Sequence, residues 1–267
     1  VSFMHFPDGE TYIRFDGEVR DEEVAIIQTT SPPQNENLIQ LLLMADNAKD
    51  LGAKTVTAVI PYLAYARQDK RFRPGEAFSI KTVVKLLEAC GVDRIITVNS
   101  HNPKVLKGLT IPVEDLSAIP LLASYVKDMG FEGALSLSVG KKAVDVAMEA
   151  SEVLGGGFEC LSTMRDRVTG KVTIEAKKLR LEDRDVAIFD DIISSGGTMV
   201  EAVRWVRSQG ARRVYVACVH PLLVGNAEER IIESGAEGIV GTDCVPSSVS
   251  KVSVAPLIAE ALAKRGA

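Results

Sequence analysis

The stretch Val186 to Thr198, VAIFDDIISSGGT, decides how this chain is read. Val186-Ala187-Ile188-Phe189 is a continuous apolar run, the pattern of a parallel strand buried on both faces. It is expected to end at two carboxylates, Asp190 and Asp191. A short loop with Ser194, Ser195, Gly196, Gly197 and Thr198 follows, and a helical pattern begins there. Glycines let backbone N–H groups close on an anion, hydroxyls add donors, and a helix start adds positive dipole. A plain βα turn with Thr198 as N-cap accounts for one hydroxyl and one glycine. It leaves unexplained two consecutive aspartates at a strand end, which repel unless a cation or sugar hydroxyls lie between them. A phosphate cradle with an acidic edge explains both.

Outward from this stretch the grammar repeats. Asp183-Arg184-Asp185-Val186-Ala187-Ile188-Phe189 echoes Asp21-Glu22-Glu23-Val24-Ala25-Ile26-Ile27. Gly210-Ala211-Arg212-Arg213-Val214, running to Pro221, echoes Gly52-Ala53-Lys54-Thr55-Val56, running to Pro61. Gly235-Ala236-Glu237 echoes Gly91-Val92-Asp93. Helical patterns precede the middle pair, at 37–51 and 199–209. A helix capped by Ser79 carries the stripe Ile80, Val83, Val84, Leu87. Three echoes in one order indicate an internal duplication, hence two α/β domains with parallel sheets, expected at 1–120 and 121–267. Only the second copy carries the cradle. The first reads Gln28-Thr29-Thr30-Ser31-Pro32-Pro33 at that point.

The totals exclude several classes. The 267 residues are 46% hydrophobic and 25% charged, an ordinary soluble balance with chain enough for a real core. A net charge of -5 argues against nucleic acid as a partner. No apolar run approaches the ~18 residues of a membrane span, and the first residues have no signal-peptide pattern. Cys90, Cys160, Cys218 and Cys244 are far apart, with no metal or redox spacing. A cytoplasmic protein is expected.

Four further segments carry candidate chemistry. Phe6-Pro7-Asp8-Gly9-Glu10 is a turn whose aromatic could stack a base while Asp8 and Glu10 accept from an exocyclic amine; most such segments are simply turns. Tyr65-Ala66-Arg67-Gln68-Asp69-Lys70-Arg71 leaves a strand's C-terminal end, where ligands of open α/β sheets bind. Arg67 suits a polyphosphate and Gln68 a base edge, against the alternative of a solvated basic loop. His101 follows another strand end and could hold a metal, although a lone histidine is more often structural. Leu137-Ser138-Val139-Gly140-Lys141-Lys142-Ala143 runs from strand to helix as a second anion loop. The two lysines would otherwise sit badly against a helix N-terminus.

Taken together, Phe6–Glu10, Tyr65–Gln68 and Asp190–Thr198 resemble the ribose-phosphate pyrophosphokinase family, closest to its archaeal type, over nearly the whole chain. The resemblance implies two phosphoribosyltransferase-like domains, an ATP side in 1–120 and a ribose 5-phosphate side in 121–267. It implies transfer of pyrophosphate from MgATP to ribose 5-phosphate, with Mg²⁺ as cofactor. By it Phe6, Asp8, Gly9, Glu10, Arg67 and Gln68 bind ATP, and the turn at Phe6–Glu10 reaches a neighbouring subunit of a homo-oligomer. His101 holds Mg²⁺, and Asp190 and Asp191 face the ribose hydroxyls. Ser194, Ser195, Gly196, Gly197 and Thr198 cradle the 5-phosphate, and Arg165 stabilises the transferring group.

Three features depart from the family pattern. Val139-Gly140-Lys141-Lys142 stands where a Pro-Asp pair is expected, Thr163 where the catalytic lysine is, and the family's opening strand and helix are missing before Val1, so Val1 is expected to lie inside a longer chain. Losing one preorganised donor corresponds to about 2.7–4 kcal/mol, or ~10²–10³ in rate. Lys141 or Lys142, and Lys171, are candidates to replace the missing charge. Two readings follow: an active enzyme, or a regulatory or structural homologue that keeps the binding sites and assembles with an active subunit. A base-transferring phosphoribosyltransferase would leave the segments at 6–10 and 65–68 without a purpose.

Overall fold

The computed structural model describes residues 1–106, 110–140, 143–165, 172–175 and 179–264, with 163–165, 172, 173 and 175 described as backbone. The chain divides into two compact units, one of Val1–Leu116 with Ala255–Ala267 and one of Ser117–Val254.

The first unit opens with a hairpin, β1 (Ser2–His5) and β2 (Thr11–Arg14). It continues as β3 (Glu23–Ile27), α1 (Gln34–Asp50), β4 (Thr55–Ile60), α2 (Ser79–Ala89), β5 (Arg94–Val98), the single turn α3 (Pro103–Leu106) and β6 (Val113–Leu116). Strands β3-β4-β5-β6 form a fully parallel sheet in that order. β5 has all five residues buried, as an inner parallel strand does, with Ile95, Ile96 and Val98 apolar and Arg94 and Thr97 buried among them. On α2 the residues Ile80, Val83, Val84 and Leu87 fall on one helical face and are the ones buried. They meet Leu41, Ala45, Ala48, Val56 and Ile95 in one core.

The second unit comprises α4 (Ile119–Val126), β7 (Leu135–Val139), α5 (Val144–Leu154), β8 (Phe158–Arg165), β9 (Val172–Glu175), β10 (Asp185–Ile193), α6 (Gly197–Ser208), β11 (Arg213–Pro221), α7 (Ala227–Glu233), β12 (Gly238–Thr242) and β13 (Ser250–Val252). The sheet order is β13-β12-β11-β10-β7-β8-β9, parallel except for the last pair. Val186 and Ile188 of β10 enter a core with Val203 and Val206 of α6 and Val214 and Val216 of β11. α8 (Ala255–Ala263) groups with the first unit.

The sequence echoes recur as matched hydrogen bonds. Asp21 donates its N–H to Gly52 O at 2.9 Å and Asp183 to Gly210 O at 3.3 Å, both from left-handed backbone with φ of 63° and 58°. Lys54 N–H reaches Glu22 O at 2.9 Å as Arg212 reaches Arg184 O at 2.8 Å. Asp93 N–H reaches Val56 O at 2.9 Å as Glu237 reaches Val214 O at 2.8 Å. Each copy therefore fixes helix end, strand entry and next strand with the same three bonds.

Candidate active site

In the second unit the expected end of the strand at Phe189 is corrected: β10 runs on through Asp190 and Asp191 to Ile193. Parallel pairing with β11 extends to Ile193↔Pro221 and keeps the acidic pair in strand geometry, against its propensity. The two carboxylates fold back on their own backbone. Asp190 Oδ1 accepts from Asp191 N–H, and Asp191 Oδ1 from Ile192 N–H, each at 2.9 Å. Burial first, and then the neighbouring Asp191 charge, push the Asp190 carboxyl well above the usual carboxylate range. A partner that donates hydrogen bonds or brings positive charge is what this pair favours.

The loop beyond is held from beneath and from the side. Ile193 N–H donates to the buried Cys218 Sγ at 3.1 Å. Leu223 and Val224 N–H donate to Ile193 O and Ser194 O, each at 3.0 Å. The plain-turn alternative set aside above does not match the cap either: Thr198 lies inside α6, and the N-cap is Gly196, in left-handed backbone with φ of 74°. A Cβ on Gly196 would also stand 3.1 Å from Ala227 Cβ, so glycine is required twice over. The first intrahelical bond from the cap is Val200 N–H to Gly196 O at 2.9 Å. Helix geometry leaves the amides ahead of it for a ligand, at the positive end of α6.

In the first unit, Phe6–Glu10 is the turn of the β1–β2 hairpin. Phe6 N–H bonds Glu10 O at 2.8 Å, Gly9 N–H bonds Phe6 O at 2.9 Å, and Glu10 N–H bonds Asp8 Oδ1 at 3.2 Å. Phe6 remains exposed and packs edge-to-face on Tyr12, with centroids 6.0 Å apart. Arg67 and Gln68 leave the C-terminal end of β4, and His101 that of its neighbour β5. The structure brings these three to one sheet edge and links their loops through Asn102 Nδ2, which donates to Asp69. Tyr65 O–H donates to Asn35 at the start of α1.

Ser79 does not cap α2, whose N-cap is Phe78; its hydroxyl donates instead to the Gln68 carbonyl. The Gln68 NH₂ group is then the end presented outward. Glu76 braces the basic loop, its carboxylate accepting from Phe72 and Arg73 N–H at 2.8 and 2.9 Å. The contacts of Asp69 and Ser79 escaped the sequence reading because their partners, Asn102 and Gln68, lie 33 and 11 residues away along the chain.

Gly140, at the end of β7, has φ of +100° and is internally satisfied. Its N–H donates to Leu161 O at 2.7 Å, and its carbonyl accepts from Ala143 N–H at 2.9 Å and Cys160 Sγ at 3.1 Å. Arg165 closes β8 two residues after Thr163, on a strand whose backbone alone is described there. Lys141, Lys142 and Lys171 lie outside the described residues. Among the described residues no three His, Cys, Asp or Glu side chains cluster as a metal cage. Oxygen donors such as the Asp190–Asp191 pair still suit Mg²⁺, which keeps waters and takes most other ligands from phosphates. The residues present therefore fit a cation that arrives on its substrate.

Parallel α/β sheets, an acidic pair at the end of a central strand and a Gly-Gly loop opening the next helix define a protein of the phosphoribosyltransferase fold. Residues 1–91 match the model of the N-terminal domain of ribose phosphate pyrophosphokinase, and 181–263 that of the phosphoribosyl synthetase-associated domain. The ribose-phosphate pyrophosphokinase of Methanothermobacter thermautotrophicus is 43% identical, over 98% of this chain and 90% of its own. That of Saccharolobus solfataricus is also 43% identical, over 90% and 82%. The crystal structure of phosphoribosylpyrophosphate synthetase from Mycobacterium smegmatis superposes with a TM-score of 0.87 at 30% identity, covering 99% of this chain and 89% of that one. The chain belongs to the ribose-phosphate pyrophosphokinase family and is an enzyme of that type. No helix of the described residues is long and apolar enough to cross a membrane.

Proposed function

We propose that this enzyme transfers the β,γ-pyrophosphoryl group of MgATP to the C1 hydroxyl of ribose 5-phosphate, giving phosphoribosyl diphosphate and AMP. The observation that carries it is that one chain holds both the Asp190–Thr198 cradle and a loop pair bearing Arg67, Gln68 and His101. Asp190 and Asp191 accept from the ribose hydroxyls, and the amides and hydroxyls of 194–198 hold the 5-phosphate. Arg67 meets the polyphosphate, the Gln68 NH₂ group a base acceptor, and Phe6, Asp8, Gly9 and Glu10 the adenosine, in a homo-oligomer from a neighbouring subunit. His101 meets the metal-bearing phosphates, and Arg165 the group in transfer. Mg²⁺ neutralises phosphate charge when bound. The C1 oxygen forms its bond to the β-phosphorus as the bond to the α-phosphate oxygen breaks; the hydroxyl proton is lost and AMP departs. Catalysis of this kind is mostly positioning and charge stabilisation. The setting is cytoplasmic nucleotide biosynthesis.

A second reading is favoured by two specific observations. The Gly140 amide, a natural anion donor in the β7–α5 loop, is consumed by Leu161 O, and Thr163 stands where the family carries a lysine. On that reading the chain binds nucleotide or sugar phosphate and regulates or scaffolds an active homologue. The two separate by AMP formation from MgATP and ribose 5-phosphate, measured for the pure protein and for the Gly140→Asp/Thr163→Lys double variant. No wild-type turnover alongside intact ribose 5-phosphate binding would sink the catalytic reading.

A further inference from the structure

We infer that Asp69 and Asp115 are positioning residues that clamp His101 from both sides. The inference rests on the reading that His101 meets MgATP. His101 sits on a short arc after β5, where Asn99 has left-handed backbone with φ of 39° and donates its N–H to Leu116 O at 2.8 Å. The residue before His101, the buried Ser100, gives both of its donors to one carboxylate: N–H to Asp115 Oδ1 at 2.9 Å and Oγ to Asp115 Oδ2 at 2.8 Å. The residue after it, Asn102, donates through Nδ2 to Asp69, which is only 5% exposed.

The two carboxylates come from different elements. Asp115 lies on β6, the strand next to β5, while Asp69 directly follows Gln68 on the loop beyond β4. Asp115 takes both donors of Ser100 and Asp69 the side-chain amide of Asn102, and a residue whose two neighbours are so held cannot swing without breaking one of these bonds. His101 itself stays half-exposed. The Asp69 link does more than hold one side. It fixes the register of His101 against Arg67 and Gln68, so the groups of the nucleotide side keep one spacing before a ligand arrives.

The test is a double-mutant cycle on the full chain. Asp115→Ala, Asp69→Ala and the conservative Asp115→Asn and Asp69→Asn are made in wild-type and His101→Ala backgrounds. Dissociation constants for MgATP and ribose 5-phosphate are measured by calorimetry. Each alanine variant is expected to weaken MgATP about tenfold, the size of one coupled contact, and each asparagine variant about threefold or less. Ribose 5-phosphate affinity is expected to stay within about twofold, and the alanine losses to shrink below about twofold once His101 is gone. Equal losses in both backgrounds, or parallel loss of ribose 5-phosphate, would overturn the clamp and leave a general structural role. A His101→Ala variant with unchanged MgATP affinity would instead refute the role given to His101 above. In that event the clamp is judged by the His101 imidazole carbon–proton NMR signal of the empty protein. A signal shifted or doubled in the two alanine variants supports it, and one unmoved in both overturns it.

Discussion

Gly140→Asp puts back the residue type expected in the family's second anion loop, at a backbone position that resists it. The φ of +100° is one that residues with a Cβ rarely adopt, yet nothing stands within 4 Å of a Cβ built there. The obstacle is therefore backbone strain and not a clash. Holding such a conformation costs about 1–3 kcal/mol. Escaping it means giving up the Gly140–Leu161, Ala143–Gly140 or Cys160–Gly140 contact, at about 0.5–1.5 kcal/mol each. Both routes give a similar loss, so the melting temperature should fall by about 2–12 °C, from 2–4 °C per kcal/mol for a domain of this size. Gly140→Ala should cost as much or more, since aspartate tolerates left-handed backbone better than alanine. Amide exchange at residue 140 and at Ala143 should quicken if the loop yields. Scanning calorimetry on the three proteins decides it. An alanine variant as stable as wild type would refute the argument, because it would show that φ does not hold this position.

Asp185 accepts from Arg212 Nε at 2.8 Å and from Nη2 of both Arg212 and Arg213 at 2.6 Å, and these guanidinium hydrogen bonds hold its carboxyl far below the usual range. A depressed pKa contributes stability that is complete above the unfolded value near 4 and lost as pH falls from there through the folded one. Asp185→Asn should cost about 1–3 kcal/mol at neutral pH, and the gap from wild type in urea titrations should narrow steadily below about pH 4. Phe131→Ala removes a buried ring that lies 5.3 Å from the Tyr215 ring and 4.3 Å beneath the Arg213 guanidinium, and should cost about 3–5 kcal/mol in the same assay. Gly196→Ala meets both the left-handed φ and the Ala227 side chain; calorimetry should show ribose 5-phosphate affinity down about tenfold or more, with MgATP affinity retained. Asp190→Ala/Asp191→Ala should abolish ribose 5-phosphate binding and leave ATP binding, and normal binding of both ligands would refute the assignment of the cradle.

Inner parallel strands were legible because burial on both faces leaves a largely apolar run, unbroken in Val186–Phe189 and interrupted only by Thr97 in Ile95–Val98. The duplication was legible because its anchor points, Gly52, Asp21 and their second-copy partners, serve local backbone geometry. Short edge strands such as Ser250–Val252 and Val113–Leu116 carry too few residues for a period to show. The run of β10 through two carboxylates was illegible for another reason: pairing with β11, which sequence does not display, overrode local propensity. Ser79 had the signature of a cap, and only the fold reveals that Gln68, eleven residues back, takes its hydroxyl. Asp69 and Asp115 meet Asn102 and Ser100 over separations of 33 and 15 residues. Residues that bind are visible by type; residues that aim them become visible only with the partner.

Thr30, in the first copy's counterpart of the cradle, has a buried side chain whose hydroxyl donates to Tyr62 O at 2.7 Å and accepts from Ala64 N–H at 2.8 Å. The loop it pins is the one that goes on to Arg67 and Gln68. A duplicated module is released from its original duty in one copy, and here the freed segment has become a fastener for the neighbouring loop. If Arg67 and Gln68 bind nucleotide as proposed, a change at Thr30 is felt as nucleotide affinity, although its hydroxyl bonds only the protein's own backbone. On the assignment proposed above, the two copies divide the labour: one would grip the sugar while the other stiffens the loop that carries Arg67 and Gln68.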